Sequence, residues 1–122
     1  MKSRSLFLSL FLLLASIAAS AQGVPFPYSV NLSWTISTST ITGQNVYRAP
    51  YTTTCGTFTK LNTTAPLSAT ATSYNDATVA ANSAYCYEVT VIGTSGESGP
   101  SNVVSNVEIP PAPDTGLSAT PQ

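Results

Sequence analysis

The chain contains no histidine. That removes the commonest general base, the Ser-His-Asp arrangement and the commonest metal ligand. Five carboxylates remain for proton chemistry: Asp76, Glu88, Glu97, Glu108 and Asp114. A glycosidase needs two of them roughly 5–10 Å apart across a cleft. Glu88 and Glu97 come nearest, but one falls on an outer strand face and the other in a turn, so the reading is non-catalytic. Asp76 beside Asn75 suggests a calcium loop, yet a hard cation wants about six or more oxygens. A turn in which both side chains bond their own backbone fits better, and no cofactor or metal is expected. Cys55 and Cys86 lack the Cys-x-x-Cys spacing and the cationic neighbour that activate a redox thiol. Asn31-Leu32-Ser33 and Asn62-Thr63-Thr64 fit the glycosylation sequon, a pattern short enough to arise by chance.

The elements that hold these residues are strands. Tyr85, Tyr87, Val89 and Val91 share one face of a strand over 85–93, while Cys86, Glu88 and Thr90 share the other. Val30, Leu32 and Trp34 alternate with Asn31, Ser33 and Thr35 in a first strand. A second, over 44–49, puts Val46 on one face and Tyr47 on the other, and Pro50 ends it because proline cannot donate to a ladder. Further strands are expected over 57–62, over 72–76 around Tyr74, and over 101–109, with Val103, Val107 and Ile109 on one parity. Turn signals separate them, with a hairpin over 94–97. There is no helical period after the first residues and no repeat of 20–50 residues. The pattern predicts an all-β antiparallel sandwich.

The N-terminus reads as a secretory signal. Lys2 and Arg4 precede an apolar run over 6–17, and Ala19-Ser20-Ala21 supplies a cleavage pattern. The run is shorter than the roughly 20 residues a spanning helix needs. The expected organisation is a signal peptide over 1–21, one domain over 22–109, and a Pro-rich tail over 110–122. Cleavage leaves Arg48 and Lys60 against five carboxylates, an acidic balance that excludes the basic stripe needed for nucleic acid or an anionic membrane. The expected location is extracellular or in the cell envelope, with no membrane insertion once the signal is gone.

Five blocks, in order, carry a resemblance: Ser29-Val30-Asn31-Leu32-Ser33-Trp34-Thr35, Gly43-Gln44-Asn45-Val46-Tyr47-Arg48, Thr72-Ser73-Tyr74-Asn75-Asp76, Tyr85-Cys86-Tyr87-Glu88-Val89-Thr90-Val91, and Glu97-Ser98-Gly99-Pro100-Ser101-Asn102-Val103. Over residues 28–109 the chain resembles a fibronectin type III domain of the bacterial secreted kind, which implies an immunoglobulin-like sandwich and leaves function open. The resemblance implies that Trp34 is the large core residue between two sheets. It also implies that Val79 precedes a tyrosine corner in which the Tyr85 hydroxyl bonds the connecting backbone. With the strand parities, the expected core is Val30, Leu32, Trp34, Val46, Tyr74, Val79, Tyr85, Tyr87, Val89, Val91, Val103 and Val107. Gln44 stands where the family usually has a large aromatic, so a thinner or locally wet core is expected there. The family's first strand is missing before Trp34, where Pro25 and Pro27 interrupt the chain. Residues 113–120 look like that strand displaced to the C-terminus, with Leu117 and Ala119 as its apolar face.

In a secreted chain two cysteines imply one disulfide. Cys55 follows the 44–49 strand and Cys86 opens the 85–93 strand. These should be antiparallel neighbours, so a Cys55–Cys86 bridge is expected.

The leading functional expectation is a non-catalytic adhesion or binding module. Asn45, Tyr47, Glu88 and Thr90 form its candidate outer face, helped by loops over 37–42 and 94–98, and its partner is a protein or polysaccharide at the cell surface. The second is a structural subunit whose tail fills a sheet edge, in its own domain (the simpler outcome) or by self-association with a neighbour.

Overall fold

Alternating side chains resolve into seven strands in the computed structural model, which describes residues 27–122. The expected signal peptide over 1–21, and Pro25, lie outside the described residues. The strands are β1 (Val30–Ser33), β2 (Gly43–Pro50), β3 (Thr59–Lys60), β4 (Ser73–Asp76), β5 (Ser83–Gly93), β6 (Gly96–Glu97) and β7 (Val104–Ile109). There is no helix among the described residues. β1 pairs with β4 in a small sheet, and a second sheet runs β3-β2-β5-β6 with β7 also on β5. Every pairing is antiparallel. The third strand, expected over 57–62, is only two residues long.

β2 and β5 form the spine. Their register sets Gln44, Val46 and Arg48 opposite Val91, Val89 and Tyr87 on the inner face, and Asn45, Tyr47 and Ala49 opposite Thr90, Glu88 and Cys86 on the outer. A Cβ at Gly43 would lie 2.9 Å from that of Pro66, so only glycine lets the 66–67 backbone close on the start of β2. The disulfide joins Cys55 to Cys86 with Cα atoms 5.9 Å apart. Cys86 is fully buried although its strand face looks outward.

The inner face is more polar than expected. Gln44 is buried and needs no water: its Oε1 accepts the Trp34 indole N–H at 2.7 Å, and its Nε2 donates to the carbonyls of Ala71 (2.7 Å), Ser68 (2.9 Å) and Ala69 (3.4 Å). Asp76 is 2% exposed. Its carboxylate accepts from the Thr78 amide and hydroxyl, from the Tyr87 hydroxyl at 2.8 Å and from Arg48 at 2.8 Å. Burial pushes the Asp76 carboxyl upward, but Thr78, Tyr87 and Arg48 outweigh it and hold the group below the usual carboxylate range. Burial first, and then the Asp76 carboxylate, push the Tyr87 phenol well above its ordinary value. The expected Asx turn forms at Asp76 alone, since Asn75 Nδ2 donates to Asn31 Oδ1 on β1 at 2.6 Å instead, and the Asp76 side chain also bridges the two sheets. The Tyr85 hydroxyl accepts the Ala80 amide at 3.0 Å, and its ring carries the Arg48 guanidinium 4.8 Å from its centroid.

Of the expected core, only Val46 and Tyr87 are buried. Val30, Leu32, Trp34, Tyr74, Val79, Tyr85, Val89, Val91 and Val107 are half-buried, and Val103 is exposed. Two physical reasons account for this. β1 has no second neighbour among the described residues, so the space between the sheets opens beside it. β7 also carries a bulge: Tyr85 faces Val107, yet Tyr87 faces Val104, three residues back instead of two. Asn106, at φ 55°, absorbs the extra residue. The bulge inverts parity, so Val104 rather than Ser105 stands opposite Tyr87, and Val103 no longer shares the inward parity of Val107. Beyond β7, residues 110–122 form no strand. Leu117 is 97% exposed and Ala119 is exposed, so the simpler expectation, closure of the tail on its own domain, is not met.

Candidate functional site

Three of the four expected outer-face residues converge, and they do so on a fourth side chain from the hairpin. Asn45 and Thr90 stand abreast on β2 and β5, and Tyr47 follows two residues along. At the end of β5, Gly93 pairs with Gly96 around a two-residue turn, and Gly96 takes φ 124°, open to glycine alone. This register sets Glu97 opposite Ile92, from where its side chain reaches back over the sheet. One carboxylate oxygen, Oε1, then accepts from the Thr90 hydroxyl, from the Tyr47 hydroxyl at 2.5 Å and from the Asn45 amide at 3.1 Å. Thr90, then Tyr47 and Asn45, pull the Glu97 carboxyl down to about 2. The bond to Glu97 in turn raises the Tyr47 phenol. Glu97 is therefore an anion across the physiological range.

The amide of Asn45 is braced from behind. Its Oδ1 accepts from Asn62 Nδ2 at 3.0 Å, while Asn62 Oδ1 caps the Val46 amide at 2.8 Å and Nδ2 also reaches the Ala65 carbonyl at 3.0 Å. Those bonds make the Asn62 sequon a poor glycan acceptor. Lys60 stands beside Tyr47 in the β2–β3 register and Glu88 on its other side, so a cation, a phenol and a carboxylate lie abreast. A depression of about 290 Å³ opens next to them, lined by Asn45, Lys60, Asn62, Thr63, Thr64 and Glu97 among others.

Glu88 shares the face but makes no bond to the cluster. The 94–98 hairpin contributes Glu97, whereas the 37–42 loop does not line the depression; it abuts the same end of β5 through the Thr42 amide on the Ile92 carbonyl, 2.7 Å. Lys60 and Asn62 were not expected in the site, and Glu97 was expected there only as part of the 94–98 loop, not as its focus. For Glu97 a signal existed: the Gly93–Gly96 hairpin fixes its register against β5. Chemically the arrangement is a fixed anion with one oxygen saturated and Oε2 open, flanked by an amide, a phenol and an ammonium. It can accept and donate hydrogen bonds at set positions. No protein-family model matches the chain, and no curated protein is similar to it.

Proposed function

We propose that this chain is an exported, non-catalytic recognition module of the fibronectin type III kind that binds a hydroxyl-rich polysaccharide at the cell surface through the outer face of its larger sheet. The observation that carries this reading is the Glu97 carboxylate, held by Asn45, Tyr47 and Thr90 on one oxygen at the rim of the 290 Å³ depression. Sugar hydroxyls are met by few polar groups in fixed orientation beside an aromatic surface, and Tyr47, Glu97, Asn45 and Lys60 are such a set. The family assignment is supported by the ordered sequence blocks, the two facing antiparallel sheets and the Tyr85–Ala80 bond. Export is supported by the N-terminal pattern and the disulfide; no helix among the described residues is long and apolar enough to cross a membrane.

The test is an array of glycans and cell-envelope proteins probed with the parent chain, Tyr47→Ala and Glu97→Gln. Binding to a glycan class, weakened about tenfold or more in both variants at unchanged circular dichroism, is the expected result. Binding only to proteins, no binding, or binding indifferent to both changes overturns the reading.

A further inference from the structure

We propose that the edge of β1 left unpaired among the described residues accepts residues 112–122 of a second copy of this chain as an added antiparallel strand. The Trp34 amide donates to the Thr72 carbonyl at 2.9 Å, which fixes the alternation along β1. Val30 and Leu32 turn their backbone groups to β4, and Asn31 and Ser33 turn theirs to the other edge. Among the described residues no strand pairs with that edge. Beneath it lie two adjoining depressions, of about 100 and 220 Å³, that share Trp34, Val89 and Ser101; Leu32, Val91 and Val104 supply further apolar wall. An unpaired ladder above an open apolar groove recruits a strand.

The occupant is identified by what the chain leaves undocked. Between Pro113 and Pro121, residues 114–120 all carry an N–H, so a ladder can run uninterrupted. Leu117 and Ala119 share one side and Ser118 and Thr120 the other, one face for a groove and one for water. Gly116, at φ 71°, can become extended without steric cost. All thirteen residues of 110–122 are exposed.

Polarity argues for a second copy. The segment departs where the Pro110 carbonyl accepts the Asn82 amide and the Pro111 carbonyl accepts the Tyr28 hydroxyl at 2.7 Å, beside the start of β1. Running down its own domain from there, it would lie parallel to β1, whereas every pairing in this fold is antiparallel. Another molecule can enter from the far end and run antiparallel. Eleven extended residues reach roughly 36 Å, ample for the four residues of β1 and the groove beyond it. Donation in this sense is heterologous, so it propagates into chains of subunits. The Glu97 face lies on the opposite side of the larger sheet, so this assembly is independent of polysaccharide binding.

The test uses the chain from Gln22 onward. Light scattering after size-exclusion chromatography, over a concentration series, should show growth beyond the monomer. Removal of 112–122 and the single change Leu117→Asp should each abolish it or weaken it at least tenfold. Leu117 is solvent-exposed in the single chain, so its substitution leaves the fold intact. With both native cysteines already bridged, Ser33→Cys and Ser118→Cys proteins mixed with a short bis-maleimide should cross-link between molecules. A strict monomer, association indifferent to Leu117→Asp, or cross-linking only within a Ser33→Cys/Ser118→Cys double variant overturns the proposal.

Discussion

The indole N–H of Trp34 donates to the side-chain carbonyl of Gln44 at 2.7 Å, so the large side chain that directly follows β1 is tied to a buried amide of the other sheet. The same amide nitrogen holds the 68–71 backbone. Gln44→Leu keeps the volume but strips partners from the indole and from up to three carbonyls. Each buried group left unsatisfied costs about 1–3 kcal/mol, partly offset by added apolar burial and by water entering from the open side. The net loss should be about 2–4 kcal/mol, read as a lower urea midpoint at unchanged slope. A loss under about 0.5 kcal/mol would mean the amide is not structural.

Asp76 makes stability acid-sensitive in a definite direction. Its folded pKa lies below the unfolded value of about 3.9. The carboxylate therefore contributes fully above that value, and the contribution is lost as pH falls through the folded pKa. Asp76→Asn should lower stability at pH 7 by about 2–3 kcal/mol, less than for a fully buried pair because Arg48 is partly exposed. The gap between parent and variant should shrink below about pH 4. Urea titrations at pH 7 and near pH 2.5 measure both; a gap unchanged with pH contradicts the linkage.

Strand alternation made much of the fold legible, because a sheet with one buried face imposes a period of two. Tyr85 to Val91, Val46 against Tyr47, and the Cys55–Cys86 pairing all follow from that rule. Three features escaped it. Gln44 and Asp76 occupy core positions as polar residues, and only their three-dimensional partners make that tolerable. Asn106 inserts a residue into β7, and nothing in the apolar pattern of Val103, Val104 and Val107 betrays the parity change. In the candidate site, Asn45, Tyr47 and Thr90 were legible as one outer face. Their focus on Glu97 was not, since it requires the hairpin to fold back over the sheet.

The donors on Glu97 rank in strength, and the ranking is measurable. Thr90 lowers its pKa most, then Tyr47, then Asn45. Thr90→Val should move Glu97 upward from about 2 further than Tyr47→Phe does, with both remaining below the ordinary glutamate value. Carboxyl-carbon NMR titration reads each directly, and the reverse order would reassign the dominant donor. Because Glu97 stays ionised, the polysaccharide binding proposed for this face should be flat between pH 7 and 4.

The disulfide should contribute a large share of a small domain's stability. It joins residues 31 positions apart, and closing a loop of that size stabilises by about 3–4 kcal/mol in the chain-entropy account. Total stability for such domains is about 5–15 kcal/mol. Reduction, or the paired change Cys55→Ser/Cys86→Ser, should lower the urea midpoint accordingly while leaving the β-sheet circular dichroism in place.

Tyr85 tests whether its hydroxyl and its ring act separately. Tyr85→Phe removes the acceptor of the Ala80 amide, an exposed-side bond worth about 0.5–1.5 kcal/mol, and keeps the ring under Arg48. Tyr85→Leu removes both, adding about 0.5–1 kcal/mol for the lost cation–π contact and more for packing. Combined with Arg48→Met in a double-mutant cycle, Tyr85→Phe should be nearly additive and Tyr85→Leu should not. The contrast follows from geometry: the hydroxyl points to the 78–80 connection, while the ring face points to the guanidinium that also holds Asp76. Equal coupling in both cycles would mean that Arg48 senses the hydroxyl through Asp76, and that the inner polar groups respond as one unit.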